Sequence, residues 1–158
     1  ASKILRSGMI VNVDITLENG GYIADSSKMY CIGQVTPLAK RLVNNVYESM
    51  WQGIRAVKPG ATLGDIGHAI QRHAEQAGYS IVREYCGHGI GRVFHAPPNV
   101  LHFGRRGEGP KLAPGMFFTI EPMVNAGRPE VKILRYCTTV NPAAVWCCKR
   151  AWCSPSSR

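Results

Sequence analysis

The chain has 158 residues, a mass of 17.3 kDa, 45% apolar and 18% charged residues, and a formal net charge of +9. That length suits a single domain able to hide roughly 70% of its unfolded surface, and the apolar content excludes wholesale disorder. No apolar run approaches the ~18–20 residues of a membrane span, and the start lacks a basic-then-apolar leader, so a basic, soluble domain without a membrane role is expected.

Residues 9–17 are β-branched and alternate at period 2, which predicts a strand. Glu18-Asn19-Gly20-Gly21 follows. Asn-Gly is the strongest short hairpin signal, because both residues tolerate positive φ, so residues 21–32 are expected to return as a second strand. A helix is predicted over 37–57, capped by Thr36 and opened by Pro37 at a position whose N–H would be unpaired anyway. Leu38, Leu42, Val46, Met50, Ile54 and Val57 give it one apolar stripe. A second helix starts after Thr62, where Thr62 and Asp65 resemble a capping box, and ends at Gly78. Its buried face is Leu63, Ile66, Ile70, Ala74 and Ala77. Residues 79–82 read as a short strand. Residues 83–115, rich in Gly, Pro, His and Arg, read as a long irregular stretch of the kind that usually carries function. Residues 116–124 form an apolar strand interrupted by Glu121-Pro122, which should be an edge or a bulge because Pro122 cannot donate to a ladder. The order argues for an α+β domain with an antiparallel sheet.

Composition changes near Leu134. Residues 1–134 hold 15 basic and all 10 acidic residues, a net of +5. Residues 135–158 hold four basic residues, no acid, four of the six cysteines and two of the three tryptophans. This tail lacks a period of 2 or 3.6. It reads as a basic tail touching nucleic acid, as a metal-binding tail without a Cys-x-x-Cys pair, or as the product of a shifted reading frame. Only Cys31 and Cys86 lie outside it, which is no disulfide framework, so a reducing compartment and a cytoplasmic location are expected.

Asp14 and Asp25 fall on the two strands of the predicted hairpin. With Asn19 and Gly20 as the central turn residues they lie directly opposite one another, Cβ atoms ~4.5–5.5 Å apart. Two like charges so placed call for a divalent metal, a shared proton or a cation such as Lys28; solvated surface aspartates are the plain alternative. Tyr85-Cys86-Gly87-His88-Gly89-Ile90-Gly91 places glycines at alternate positions around His88, with His95 and His102 following at intervals of seven. It is not a dinucleotide fingerprint, since Arg92 stands where the last Gly belongs. Glu121 interrupts an apolar strand, where a carboxylate is costly unless paired or metal-bound; an outward-facing Glu at a strand end is the alternative. Carboxylates with imidazole suit Mn, Fe, Co or Zn, and several carboxylates can bridge two ions about 3.5–4 Å apart.

Asn12-Val13-Asp14-Ile15-Thr16, Ala24-Asp25-Ser26-Ser27-Lys28, Tyr85 through Arg92 with Phe94-His95, and Thr119-Ile120-Glu121-Pro122-Met123 together resemble the type I methionine aminopeptidases of the bacterial kind. The resemblance covers about residues 3–134. Glu-Pro-Met with the His88/His95 pair favours that family over prolidase and aminopeptidase P, which carry Gly after Glu-Pro. The resemblance implies the pita-bread fold, a curved antiparallel sheet backed by helices, and removal of the initiator methionine from nascent chains with a small second residue. It implies two divalent ions, with Asp14 chelating one, Asp25 bridging both, and His88 and Glu121 ligating the other. His95 would contact the substrate or the tetrahedral intermediate; Tyr85, Phe94 and Met123 would lie near the methionine pocket. The partners would be nascent N-termini and, through phosphate attraction to the core's positive charge, the ribosome surface; the chain is expected to act as a monomer.

Relative to that family the chain is expected to be incomplete at both ends. An upstream His is outside it, and the stretch that carries a second bridging Glu in a Glu-His-Thr strand falls in the acid-free tail, with Trp152 at the position. The resemblance therefore implies a peptidase family and, for the chain as written, weak turnover and poor stability. The rival readings are a catalytically dead pita-bread binding protein, and a nucleic-acid or ribosome-binding module resting on the net charge and Arg105-Arg106.

Overall fold

The computed structural model describes residues 4–131, 144–146 and 150–153. Two strands, β1 (Ile10–Asn19) and β2 (Tyr22–Cys31), form an antiparallel hairpin. Gly20 and Gly21, at φ 59° and 77°, are its central turn residues, and Glu18 Oε1 accepts the Gly21 N–H at 3.0 Å. A two-residue turn of this type needs positive φ at both positions, which glycine adopts without the Cβ penalty that Asn19 would carry. The turn therefore sits one residue later than the Asn-Gly signal suggests. Asp14 opposes Ser27 and Asp25 opposes Thr16, which corrects the expected Asp14–Asp25 pairing. The slip is even, so both aspartates keep the same face. On the other face Val13, Ile15 and Leu17 are exposed.

Helix α1 (Pro37–Ala56) is capped by Thr36, whose Oγ1 accepts the Ala39 N–H at 3.2 Å. Leu42, Val46 and Met50 are buried as the stripe requires, while Leu38, in the first turn, is exposed. Helix α2 (Leu63–Gln76) opens with the full capping box: Asp65 N–H donates to Thr62 Oγ1 at 3.3 Å, and Thr62 N–H to Asp65 Oδ2 at 2.8 Å. Gly78, at φ 81°, follows its C-terminus. Ile66, Ile70 and Ala74 are fully buried against α1, each large side chain contributing about 2 kcal/mol by removal from water.

The two helices pack with the strands around one core that includes Ile81, Val100, Phe118, Ile120 and Val124. Strands β3 (Ser80–Ile81), β4 (Gly87–Gly89), β5 (Ala96–Val100), β6 (Phe117–Ile120), β7 (Met123–Asn125), β8 (Ala144–Trp146) and β9 (Arg150–Cys153) form two antiparallel sheets, ordered β3-β7-β8 and β5-β4-β6-β9. The stretch 83–115 thus holds two short strands rather than being irregular throughout. The predicted strand over 116–124 is two strands in different sheets, broken at Glu121-Pro122. Neither is an edge, because β6 lies between β4 and β9 and β7 between β3 and β8; Pro122 falls in the break, where no ladder needs its N–H. Within the tail, β8 and β9 carry backbone pairing to β7 and β6; the other residues from 135 onward lie outside those described.

Asp65 has a pKa held below the usual carboxylate value of 3.8, chiefly by the Thr62 backbone N–H, with burial opposing, and with the Gly107 N–H, the Thr62 hydroxyl and Arg106 assisting. Asp65→Ala should destabilise the chain by about 1–2 kcal/mol in urea melts at neutral pH. A depressed carboxylate pKa gives stability that is present above the unfolded value and lost as pH falls through the folded one. The advantage of the wild-type chain over the variant should therefore shrink below the ordinary carboxylate range; a difference that grows in acid would contradict the assignment.

Candidate metal centre

Three segments distant in sequence meet at one point. The first is β2. Ile23 N–H donates to Gly91 O at 2.8 Å, and the Arg92 guanidinium lies 4.5 Å from the centre of the Tyr22 ring, so the hairpin is tied to the glycine-rich segment. Asp25 is carried inward and is only 2% exposed, with Thr16 Oγ1 donating to its Oδ1 at 3.1 Å.

The second segment is β4. A Cβ on Gly87 would collide with the Thr119 carbonyl, and one on Gly89 with that of Pro97. The alternating glycines thus let neighbouring strands close on both sides of His88, whose backbone N–H donates to Thr119 Oγ1 at 3.0 Å. Nδ1 of His88 lies 2.9 Å from the Gly89 carbonyl. A carbonyl only accepts, so Nδ1 carries a proton, and Nε2 is the ring atom left to offer a lone pair to a metal.

The third segment is the break between β6 and β7. Thr119 Oγ1 donates to Glu121 Oε1 at 2.6 Å, so one hydroxyl joins the backbone of His88 to the carboxylate of Glu121. The Glu121 N–H donates to Nε2 of His102 at 3.1 Å. Burial pushes the His102 pKa down to about 3, so this imidazole is neutral at physiological pH and stays an acceptor.

Ligand atoms of Asp25, His88 and Glu121 all lie within 4.8 Å of one another. His88 Nε2 is 3.4 Å from Glu121 Oε1 and 3.8 Å from Asp25 Oδ2, is buried, and makes no hydrogen bond. A charged imidazole donating to carboxylates would approach to about 2.7–2.9 Å. Bonds of ~2.0–2.2 Å to a central cation instead set neighbouring ligand atoms about 3–3.5 Å apart, so the 3.4 Å His88–Glu121 separation and the orphaned Nε2 fit a divalent ion, with Asp25 at 3.8 Å a few tenths of an ångström further out than a bound ion would draw it. The neighbouring Cys86 thiol has its pKa pushed up by burial and further by the Glu121 charge, which keeps it protonated and leaves the donor set to oxygen and imidazole.

Three of the four candidate ligands therefore converge. Asp14 shares their face of the hairpin but is exposed and lies outside the group. Beside the group is a cleft of about 250 Å³ lined by Tyr85, Cys86, His88, His95, Asn99, Glu121 and Met123. His95 is exposed at its mouth, its ring centre 4.4 Å from that of His88 and 4.0 Å from that of Phe94. Phe94 stands edge-on to His88 at 5.7 Å. Thr119 was not singled out by sequence; a hydroxyl inside an apolar strand, two positions from Glu121 and so on the same side, was the available signal. His102 stood out only as one of three nearby histidines, and its bond to a backbone N–H has no sequence signature.

Residues 1–140 match metallopeptidase family M24. The chain belongs to that family. It is 54% identical over 125 residues to a methionine aminopeptidase of Rickettsia prowazekii, covering 79% of this chain and 48% of the relative, and 49% identical over 134 residues to one of Escherichia coli, covering 85% and 51%. The chain thus spans about half the length of the curated relatives it matches. Among solved structures it is similar to the methionine aminopeptidases of R. prowazekii (TM-score 0.88, 45% identity) and Thermotoga maritima (0.90, 33%), each over 94% of this chain and 61% of the other. These likenesses establish the pita-bread fold expected from the sequence, and membership of M24 implies a divalent metal.

Replacing Glu121 by Gln or His88 by Ala should weaken Mn or Co binding beyond detection at micromolar protein in titration calorimetry. Thr119→Val, which leaves all three donors but frees them from their shared hydroxyl, should weaken it by about 10–100-fold. Unchanged affinity in Thr119→Val would show that the hydroxyl does not orient the site.

Proposed function

We propose that this chain carries the metal centre of a methionine aminopeptidase, which removes the N-terminal methionine from nascent proteins with a small second residue in the cytoplasm. The observation that carries the reading is the buried His88 lone pair facing Asp25 and Glu121, supported by the relatives of that name. In this reading His88 and Glu121 hold one ion and Asp25 bridges to a second, which Asp14 chelates; the ions are Mn, Fe, Co or Zn. Divalent ions there would lower the pKa of a water and polarise the scissile carbonyl. His95, at the cleft mouth, contacts the substrate near the reacting carbonyl. Tyr85, Phe94 and Met123 shape the methionine pocket, Met123 from within the core at 3% exposure. An unbranched thioether suits such an apolar, adaptable wall.

Residues 135–158 contain no Asp or Glu. Residues 144–146 and 150–153 extend the sheets by backbone pairing, but the segment adds no carboxylate to the centre; a shifted reading frame would account for that composition, and the coding DNA after Leu134 would reveal it. The second bridging carboxylate that the family resemblance implies is not supplied there. The chain as written should bind metal yet hydrolyse a Met-Ala-Ser peptide with added Mn or Co at a rate near background, and robust turnover would contradict this.

The substrate reading is tested by binding. Methionine hydroxamate should perturb the visible spectrum of the Co-loaded chain at concentrations at least about tenfold lower than lysine hydroxamate does, because burying a thioether side chain is worth about 1.5–3 kcal/mol. Equal potency of the two would overturn the methionine pocket while leaving the metal centre standing.

A further inference from the structure

A concavity of about 750 Å³ lies between the end of α1 and the outer side of α2, and it shares no lining residue with the cleft at His88. Arg55 comes from the last turn of α1, Lys58 from just beyond it, Arg72 from α2 and Arg106 from the segment that follows β5. His68 and His73 stand beside them. The lining carries one carboxylate, Asp65, and its oxygens already accept from Thr62 and from the Gly107 N–H at the start of α2. Among the described residues Arg55, Lys58 and Arg72 are in no ion pair, and all three are exposed. Four cations drawn from three segments thus face one groove with a single acid, Asp65, which is hydrogen-bonded to Thr62 and Gly107 and offsets the charge of Arg106 alone among them. In the sequence this charge is scattered, and only the packing of α2 on α1 gathers it.

The groove is poorly suited to an acidic peptide. Its apolar lining is limited to Ala56, Pro59, Ala61 and Ala69, so it has no large side chain against which a peptide could anchor. Among the described residues its lining also lacks Phe, Tyr and Trp, and its rings are the imidazoles of His68 and His73. What it offers is guanidinium and ammonium donors along a concave track, the chemistry that takes up a phosphate backbone without reading sequence.

We propose that this groove binds the phosphate backbone of single-stranded RNA, independently of base identity and of the metal centre. Fluorescence anisotropy with labelled oligouridine tests it on the whole chain. Binding should fall with salt at a slope of about −2 to −3 in log K against log salt, as expected for three to four phosphates on a single strand. Arg55→Glu with Arg72→Glu should weaken it at least about tenfold. Lys40→Glu with Arg41→Glu, the same charge change on α1 outside the groove, should alter it less than about twofold. All four positions are exposed, and thermal melts with Mn titrations would verify that each variant folds and keeps its metal affinity. Absent binding, equal loss in the two double variants, or displacement of the RNA by oligoglutamate of matched charge would overturn the proposal; the last outcome would assign the groove to acidic peptides.

Discussion

Asp25 and His88 are buried, Glu121 is half-buried beside them, and one ligand atom of each lies within 4.8 Å of the other two. Carboxylates gathered away from water are in general costly to hold unless a cation joins them. Thr16, Thr119 and the Gly89 carbonyl each satisfy one polar atom of the cluster, and each orients a donor while leaving His88 Nε2 open. A cation in the middle converts the penalty into attraction. The fold is therefore best understood as a device for holding these side chains around a point that suits an ion.

The device is built from short, locally weak pieces. β4 has only three residues, two of them glycine, and its position is set by neighbours that can approach because no Cβ intervenes. The break between β6 and β7 frees Glu121 from either ladder while Pro122 removes a donor that would otherwise be orphaned. His102 takes the Glu121 N–H from beneath, in a setting dry enough to keep its ring neutral. The helices contribute the mass: α1 and α2 bury the aliphatic core against which the strands are pinned, and their termini are fixed by local capping that owes nothing to the site.

What could be read from the sequence follows the same division. Thr36, Thr62 with Asp65, and Gly78 act within one helical turn, so their signals lie within a few residues and the helix boundaries were legible. The hairpin was legible too, but its register was not, because Asn-Gly and Gly-Gly turns differ by a small conformational cost that Asn19 and Gly21 decide between them. Parity survived the slip, so the face carrying Asp25 was read correctly even though its partner was not. Asp25, His88 and Glu121 stood out because each is chemically out of place in its segment. The two strands inside 83–115 and the division of 116–124 depend on which sheet each piece joins, and that is settled by contacts between distant segments. The roles of Thr119 and His102 are of the same kind.

The claim on which the rest turns is that one divalent ion sits among Asp25, His88 and Glu121. Crystals grown with Mn and measured at a wavelength with strong anomalous scattering would locate it directly. The account predicts a peak within about 2.0–2.3 Å of His88 Nε2 and of an oxygen from each carboxylate. A peak only elsewhere, or His88 Nε2 closed onto a carboxylate in a direct hydrogen bond with no metal between them, would contradict it.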